Sequence, residues 1–409
     1  MERILSILVV DDDPDVTAAA SAALEAAGHT VEVLHDSTKA LARLEDKKPD
    51  VMLVDIMMPN LDGLELTKRV RAKSEYKDMK IVVVSGKAYE FDRKRAFDMG
   101  ANGFVVKPIR IETFANEIER LIEDKVTLRY WGVRGTLPVP GARSLRYGGN
   151  TPCVTLEFIN GRLLIFDAGS GIKELSNHLM KSGRPRLEAK IFISHPHWDH
   201  INALPFFVPL YLPGNEFEIL GAAHPDRSMR ELIAAQMEDV YFPVTIKEFG
   251  ARVFFRDLRQ ESFSFGDIAV STLLLSHPGY CLGYRIDYGG RSICYITDNE
   301  LYLDDNPAFN PNYVKNLTSF IEGTDILITD CTYFDQEYKT KVGWGHSCIS
   351  KVVELAAGAK VKSLHLFHHD PDQDDDAIDR KLDEAQSGLK TRGSAVECLA
   401  PAEGQSFTI

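Results

Sequence analysis

Three things are scarce in this chain of 409 residues: long apolar runs, clustered cysteines and basic blocks. The longest apolar stretches are short or broken by proline, as in Leu204–Pro213, so no membrane span is expected. Six cysteines, at 153, 281, 294, 331, 348 and 398, form no CxxC pair. In a chain of this length that points to free thiols in a reducing cytoplasm rather than to a disulfide framework. Formal net charge is −13, from 47 Lys+Arg and 60 Asp+Glu. The sequence therefore shows no basic patch of the kind that gripping duplex DNA or tRNA requires. Ile4–Val10 is apolar enough for a signal-peptide core, but Asp11-Asp12-Asp13 stands where a small-residue cleavage site belongs. Export is not expected. No internal repeat and no low-complexity segment occurs. The remaining composition, 44% hydrophobic and 26% charged, is that of an ordinary globular protein with two to three domains' worth of chain.

The densest chemistry lies in Ser194-His195-Pro196-His197-Trp198-Asp199-His200, after the apolar run Ala189–Ile193. That run reads as a buried strand, and in an extended segment residues two apart face the same way. His195 and His197 can thus grip one ion. A short helix beginning at Ile201 would swing Asp199 and His200 toward a second position. Imidazole and carboxylate are the ligands that zinc, iron and manganese take. A histidine-rich surface turn is the plain alternative, and four ligand-type residues in six positions are too dense for it. Three further residues of metal-ligand type follow apolar strands: His277 after Thr272–Leu275, Asp298 after Arg291–Thr297, and His368 after Lys362–Phe367. Side chains at the carboxyl ends of neighbouring strands converge at one sheet edge.

With Asp167 included, this series resembles the metallo-β-lactamase superfamily. The resemblance implies an αββα sandwich that holds two divalent transition metal ions, zinc first and manganese or iron as substitutes. One ion would take His195, His197 and His277, the other Asp199, His200 and His368, with Asp298 bridging. Asp167 would orient neighbouring ligands without binding metal. Trp131-Gly132-Val133-Arg134-Gly135 and Tyr147-Gly148-Gly149-Asn150 read either as loops whose backbone N–H groups approach an anion or as tight turns. Arg134 and Asn150 are accordingly candidates for supporting the ligands or contacting substrate. Gly345-His346-Ser347 precedes a helix expected over Cys348–Ala357, which makes His346 a candidate general acid, with capping or packing as the alternative. The Gly-His-Ser context resembles the phosphodiesterase branch of the superfamily, although Asn202-Ala203 replace the usual glycine-bearing pair after the first motif. His346 and the ligand Asp199 are the candidate catalytic groups. Tyr333, Glu337 and Asp370 are weaker candidates for lining the site.

Residues 1–124 alternate differently. Strands are expected at Leu5–Val10, Thr30–Leu34, Val51–Val54, Ile81–Val84 and Gly103–Val106. Helices are expected at Thr17–Ala27, Thr38–Glu45, Gly63–Lys73, Arg93–Met99 and Ile111–Asp124. Five such units give an α/β domain with a doubly wound, flavodoxin-like parallel sheet. Asp11, Asp12, Asp55, Ser85 and Lys107 would meet at its carboxyl edge. Three carboxylates make a hard oxygen site for Mg²⁺, one can attack phosphorus, and a lysine can neutralise the phosphoryl group. With Val54-Asp55-Ile56-Met57-Met58-Pro59 followed by Asp62-Gly63, this half resembles the receiver domain of two-component response regulators. The resemblance implies Asp55 as phosphoacceptor, Asp11 and Asp12 as its Mg²⁺ partners, Ser85 and Lys107 as phosphoryl contacts, and Phe104 as the switch aromatic. A sensor histidine kinase would be the phosphodonor.

The boundary is expected near Asp124-Lys125-Val126, with a second domain over 126–409 and almost no linker. A short junction transmits helix displacement, so coupling between the halves is expected, directly or through a homodimer of receivers. Charge divides as −5 for residues 1–125 and −8 for the rest, so neither half is a DNA-binding module. The function expected is a response regulator whose output is dinuclear metal-dependent hydrolysis of a small phosphodiester. A thioesterase or lactonase of the same fold, and a non-catalytic module acting by protein contact, are the alternatives.

Overall fold

A computed structural model describes all residues except 1–3, 87–89, 123–124, 159–160, 185 and 223. The chain divides into two compact units, one holding residues 1–125 and the other the bulk of 126–409. The expected boundary at Asp124, the end of the helix expected to reach it and the strand end expected at Ile159 lie outside the described residues.

In the first unit, five parallel strands stand in the order Thr30–Leu34, Ser6–Val10, Val51–Val54, Lys80–Ser85, Gly103–Val106. The central strands are apolar without interruption because both faces are covered. Leu8, Val10, Met52 and Val54 enter one core, and Ile7, Val9, Val51 and Leu53 the other. The first helix is Pro14–Ala26, three residues longer at its start than expected. The Asp13 side chain accepts from Asp15 N and Val16 N, and Pro14 supplies the fixed first turn. Val10 pairs with both Leu34 and Val54, so Asp11 and Asp55 leave the sheet side by side.

The second unit is a sandwich of two seven-stranded sheets. One runs Arg252–Leu258, Glu216–Ala222, Glu188–Ile193, Leu163–Phe166, Cys153–Phe158, Val126–Gly132, Ser406–Thr408. The other runs Ser262–Phe265, Ile268–Leu274, Leu282–Tyr288, Arg291–Ile296, Ile326–Asp330, Ser363–Phe367, Glu397–Leu399. Alternation within each strand sends one set of side chains inward and the next outward. Phe166, Phe192, Tyr284, Tyr295 and Phe367 fill the space between the sheets, with ring centroids 5.2–5.7 Å apart from Phe166–Phe192 through Tyr295–Phe367. Each buried ring contributes about 1.5–3 kcal/mol by leaving water. The outward sets pack under helices: Ile172–Lys181 on the first sheet, and Pro311–Ile321, Ile349–Gly358 and Asp375–Thr391 on the second. The layers are thus helix, sheet, sheet, helix, as expected from the sequence. Among the described residues no helix is long and apolar enough to cross a membrane.

Candidate functional site

Seven side chains meet where strands of the two sheets end. Asp298 stands at the centre and is almost fully buried. Its Oδ2 lies 3.5 Å from His195 Nε2 and 3.7 Å from His277 Nε2, and His197 Nδ1 is 3.1 Å from His277 Nε2. Its Oδ1 lies 3.3 Å from His200 Nε2 and 3.1 Å from His368 Nε2. Asp199 Oδ2 completes the second group, 3.2 Å from His200 Nε2 and 3.1 Å from His368 Nε2. One carboxylate therefore presents one oxygen to each of two ligand groups. The expected helix comes earlier than predicted. It spans Trp198–Ile201, so Asp199 and His200 lie within its single turn, and that turn separates them from His195 and His197.

The donor set fits two divalent ions. Ligands about 2.1 Å from a tetrahedral ion stand about 3.4 Å from one another, which is the spacing found here. His195 Nε2 and His200 Nε2 are buried and complete no hydrogen bond. An orphaned acceptor at such depth is costly unless something outside the protein satisfies it. Burial drives the His195 ring well below its ordinary pKa, leaving it neutral, as a ligand must be. Burial would raise the Asp199 and Asp298 carboxyls, but His200 and His368 pull both well below the usual range. Burial likewise opposes charge on His200, yet Asp199, Asp298 and Asp167 raise it well above its ordinary value. Such concentrated negative charge is what cations neutralise.

A second layer fixes the ligands' far sides. Asp167 accepts from Ser194 N at 2.7 Å and from Ser194 Oγ, Tyr295 OH and His200 Nδ1 at 2.8 Å each. It thereby leaves His200 Nε2 as the free lone pair. The Gly345 carbonyl does the same for His277 Nδ1 at 2.8 Å. Asp167, Asp298 and His368 have φ of 60°, 49° and 57°, left-handed values that cost a non-glycine residue on the order of 1 kcal/mol. Glycines make room nearby: a Cβ on Gly135 would stand 2.2 Å from the His368 ring, and one on Gly345 2.3 Å from His277 Nδ1.

His346 lies beside this cluster. Its ring stacks on that of His368 at 4.8 Å and lies tilted to that of His277 at 5.3 Å, and its Nδ1 is 2.8 Å from Asp330 Oδ2. Burial lowers its pKa, but Asp330 more than compensates and raises it to about 9. Bound cations would draw that value down. The loop before it hangs on buried Glu300, which accepts from Gly343 N at 2.7 Å, Gly345 N at 2.8 Å and Tyr338 OH at 2.7 Å.

In the first unit, Lys107 Nζ lies 2.7 Å from Asp11 Oδ2 and 2.9 Å from Asp55 Oδ1. Asp55 Oδ2 accepts from Met57 N at 2.5 Å. Asp11, Asp12 and Asp55 bring carboxylate oxygens within 4.8 Å of one another, and Asp12 is the exposed member. Ser85 is buried at the end of its strand, and Phe104 is buried in the adjoining core.

The glycine-flanked loops do approach anions, and these are the protein's own carboxylates. Thr136 N donates to Asp199 Oδ2 at 2.8 Å, and Asn150 N and Nδ2 both donate to Glu403. Arg134 does not reach a substrate. It is fully buried and bonds Gly148 O, Gln373 O and Asp375, which makes it a strut between the loop and the helix Asp375–Thr391. Asn150 is likewise occupied, by Glu403 and Ser170. Asp370 pairs with Lys341 at 2.8 Å, Glu337 accepts from Phe334 N and Gln373 Nε2, and the Tyr333 ring stands 5.9 Å from that of His346. Sequence reasoning missed Asp330 and Glu300. Asp330 ends an apolar strand as the ligands do, a usable signal, whereas Glu300 has none.

Family models match twice. A response regulator receiver domain covers residues 7–119, and a beta-lactamase superfamily domain covers 162–369, just over half of the chain. Response regulator MprA of Mycobacterium ulcerans (strain Agy99) is 34% identical over 116 residues, which is 28% of this chain and 49% of that protein. The chain thus spans about half the length of that relative. The metallo-beta-lactamase fold protein YhfI from Bacillus subtilis superposes with a TM-score of 0.50 at 17% identity, over 70% of this chain and 100% of that one. Unliganded yeast PDE1 superposes with a TM-score of 0.54 at 13% identity, again over 70% and 100%. These likenesses establish the fold of the second unit.

Proposed function

Since this chain belongs to the beta-lactamase superfamily and carries a response regulator receiver domain ahead of that fold, we propose that it is a phosphorylation-regulated, dinuclear metal-dependent phosphodiesterase. His195, His197 and His277 would hold one ion, Asp199, His200 and His368 the other, and Asp298 both. Zinc suits a set of five imidazoles and two carboxylates. When bound, such ions lower the pKa of water and polarise a phosphoryl oxygen. Asp167, through His200 and Ser194, and the Gly345 carbonyl, through His277, keep the ligand rings oriented. His346 carries the phosphodiester reading. Asp330 holds its Nδ1–H, so the proton on Nε2 is the one it can give to a departing alkoxide. Thioesters and lactones need that donor less, because thiolates leave readily and a lactone's alkoxide stays tethered.

In the receiver, an Asp55 carboxylate oxygen would attack the phosphorus of a kinase phosphohistidine, forming an acyl phosphate and releasing the histidine. Asp11 and Asp12 supply the acidic partners for Mg²⁺, and Lys107 the counter-charge. The six cysteines are free and buried, which supports a cytoplasmic setting. The test is turnover of bis(p-nitrophenyl) phosphate against a thioester and a lactone by metal-replete protein. Phosphodiester turnover above the other two is expected; preference for either of them would replace the reading. Inactivity on all three would favour a module that acts by contact.

A further inference from the structure

The metal ligands are buried on every side but one. His195, Asp199, His200, Asp298 and His368 are buried, His197 is exposed, and the His277 side chain is only 3% exposed. A substrate therefore arrives over His197, and three exposed aromatic residues adjoin, along the chain, His197 itself or glycines that touch His197 and His277. Trp198, 83% exposed, stands between ligands His197 and Asp199. Tyr280, 46% exposed, follows Gly279, whose Cβ position lies 3.4 Å from His197 Nε2. Trp344, 62% exposed, precedes Gly345, whose carbonyl holds His277 and whose Cβ position is 2.3 Å from that ring. Each aromatic is thus one residue from His197 or from a glycine in contact with His197 or His277. Tyr280 keeps a left-handed φ of 62°, strained for a tyrosine, and exposed tryptophan faces cost hydration. Tyr280 meets His224 edge-on at 5.8 Å and Lys341 Nζ stands 5.8 Å from the Trp344 ring, and none of the three rings enters a hydrophobic core.

We propose that Trp198, Trp344 and Tyr280 form a stacking platform that selects phosphoesters carrying a planar heteroaromatic base, a nucleobase. This deepens the phosphodiesterase reading and rests on it. A base has two apolar faces that stack on aromatic rings whatever its edge, and its ribose phosphate spans the gap to the metals. An aliphatic chain would be served better by a closed apolar pocket than by separate exposed rings.

The test uses the full-length, metal-replete protein and two probes, adenosine 5′-monophosphate and ribose 5-phosphate, which differ only in the base. Calorimetry should show the nucleotide binding about 5- to 150-fold tighter, the range base stacking supplies. Intrinsic fluorescence should change with it, because two of the three tryptophans are the exposed ones and Trp131 is buried. Trp198→Ala and Trp344→Ala should each erase most of the preference, and Trp198→Phe and Trp344→Phe should retain most of it. These positions touch no core, so the variants should fold. Equal binding of the two probes, or a preference that survives both alanine variants, would overturn the proposal, as would tighter binding of octyl phosphate than of the nucleotide. Hydrolysis of bis(p-nitrophenyl) phosphate is followed in parallel. Turnover without a base preference sinks this inference alone, and a base preference without turnover of any phosphodiester sinks the hydrolytic reading.

Discussion

Asp167 gathers four donors onto one carboxylate and touches no position an ion would occupy. Asp167→Asn exchanges one acceptor oxygen for an N–H group that faces other donors. Metal affinity should fall about 10- to 100-fold, read by competition with a chromophoric chelator, while the backbone at His195 stays folded. Unchanged affinity would reduce Asp167 to a packing group. His346 is the complementary case, close to the ligands but outside both groups. His346→Ala should keep two ions per chain by elemental analysis yet lose about 10²–10⁴-fold in turnover on a poor leaving group. On an activated ester the loss should be far smaller. The sign of the pH dependence follows from Asp330: a raised pKa keeps the ring protonated below it, so activity falls as pH rises through that value. That alkaline limb should vanish in His346→Ala. The convergence of His195, His277, Asp298 and His368 was legible in the sequence because each follows an apolar strand, a place that spacing reveals. Asp330 carried the same strand-end signal and was passed over, whereas Glu300 was not legible, because a side chain that serves a neighbouring loop obeys no spacing rule. For Arg134 the sequence left two roles open, since a guanidinium near such a motif reads alike whether it meets substrate or braces the backbone.

At the scale of elements, strands were read nearly to the residue. Thr30–Leu34, Val51–Val54 and Gly103–Val106 stand as expected; covered Val51–Val54 is an unbroken apolar run with sharp ends, and the edge strand Thr30–Leu34 shows through its β-branched residues. Helix starts were less legible. The first helix gains its opening turn from Asp13 and Pro14, and the turn Trp198–Ile201 lacks the length to show any period. The segment 343–346 has no regular structure at all and owes its shape to Glu300. Glu300→Gln keeps the size but sets an NH₂ against two backbone N–H donors. The loop should loosen, lowering kcat on poor leaving groups about tenfold or more with KM little changed and two ions still bound. Glu300→Asp should rescue part of it. Equal losses on good and poor leaving groups, with a parallel drop in Tm, would make Glu300 merely structural.

At the scale of the whole molecule, both fold classes were legible, as two different alternations of strand and helix. The proposed regulation is what would need the entire chain. A phosphoryl group on Asp55 adds a charge of about −1.5 to −2 beside Lys107, and coupling of the usual size, 1–3 kcal/mol, would move hydrolysis about 5–150-fold. Turnover with and without a beryllium fluoride complex measures it, with Asp55→Asn as control and sedimentation to detect pairing of receivers. No change in either rate or mass would leave the receiver a passenger. The sandwich carries a further consequence, in time. Its strand Ser406–Thr408 pairs with Val126–Gly132, and Asp298 joins ligands that begin at His195 and end at His368. Pairings so distant along the chain make folding slow, on the scale of milliseconds to seconds or longer. Neither half-sheet can gather the ligands alone, so ion capture must be the last event of maturation. In refolding from denaturant, recovery of Trp131 fluorescence should precede uptake of metal from a coloured chelate, and ions taken up in the earliest phase would show that a fragment of the sandwich already holds them.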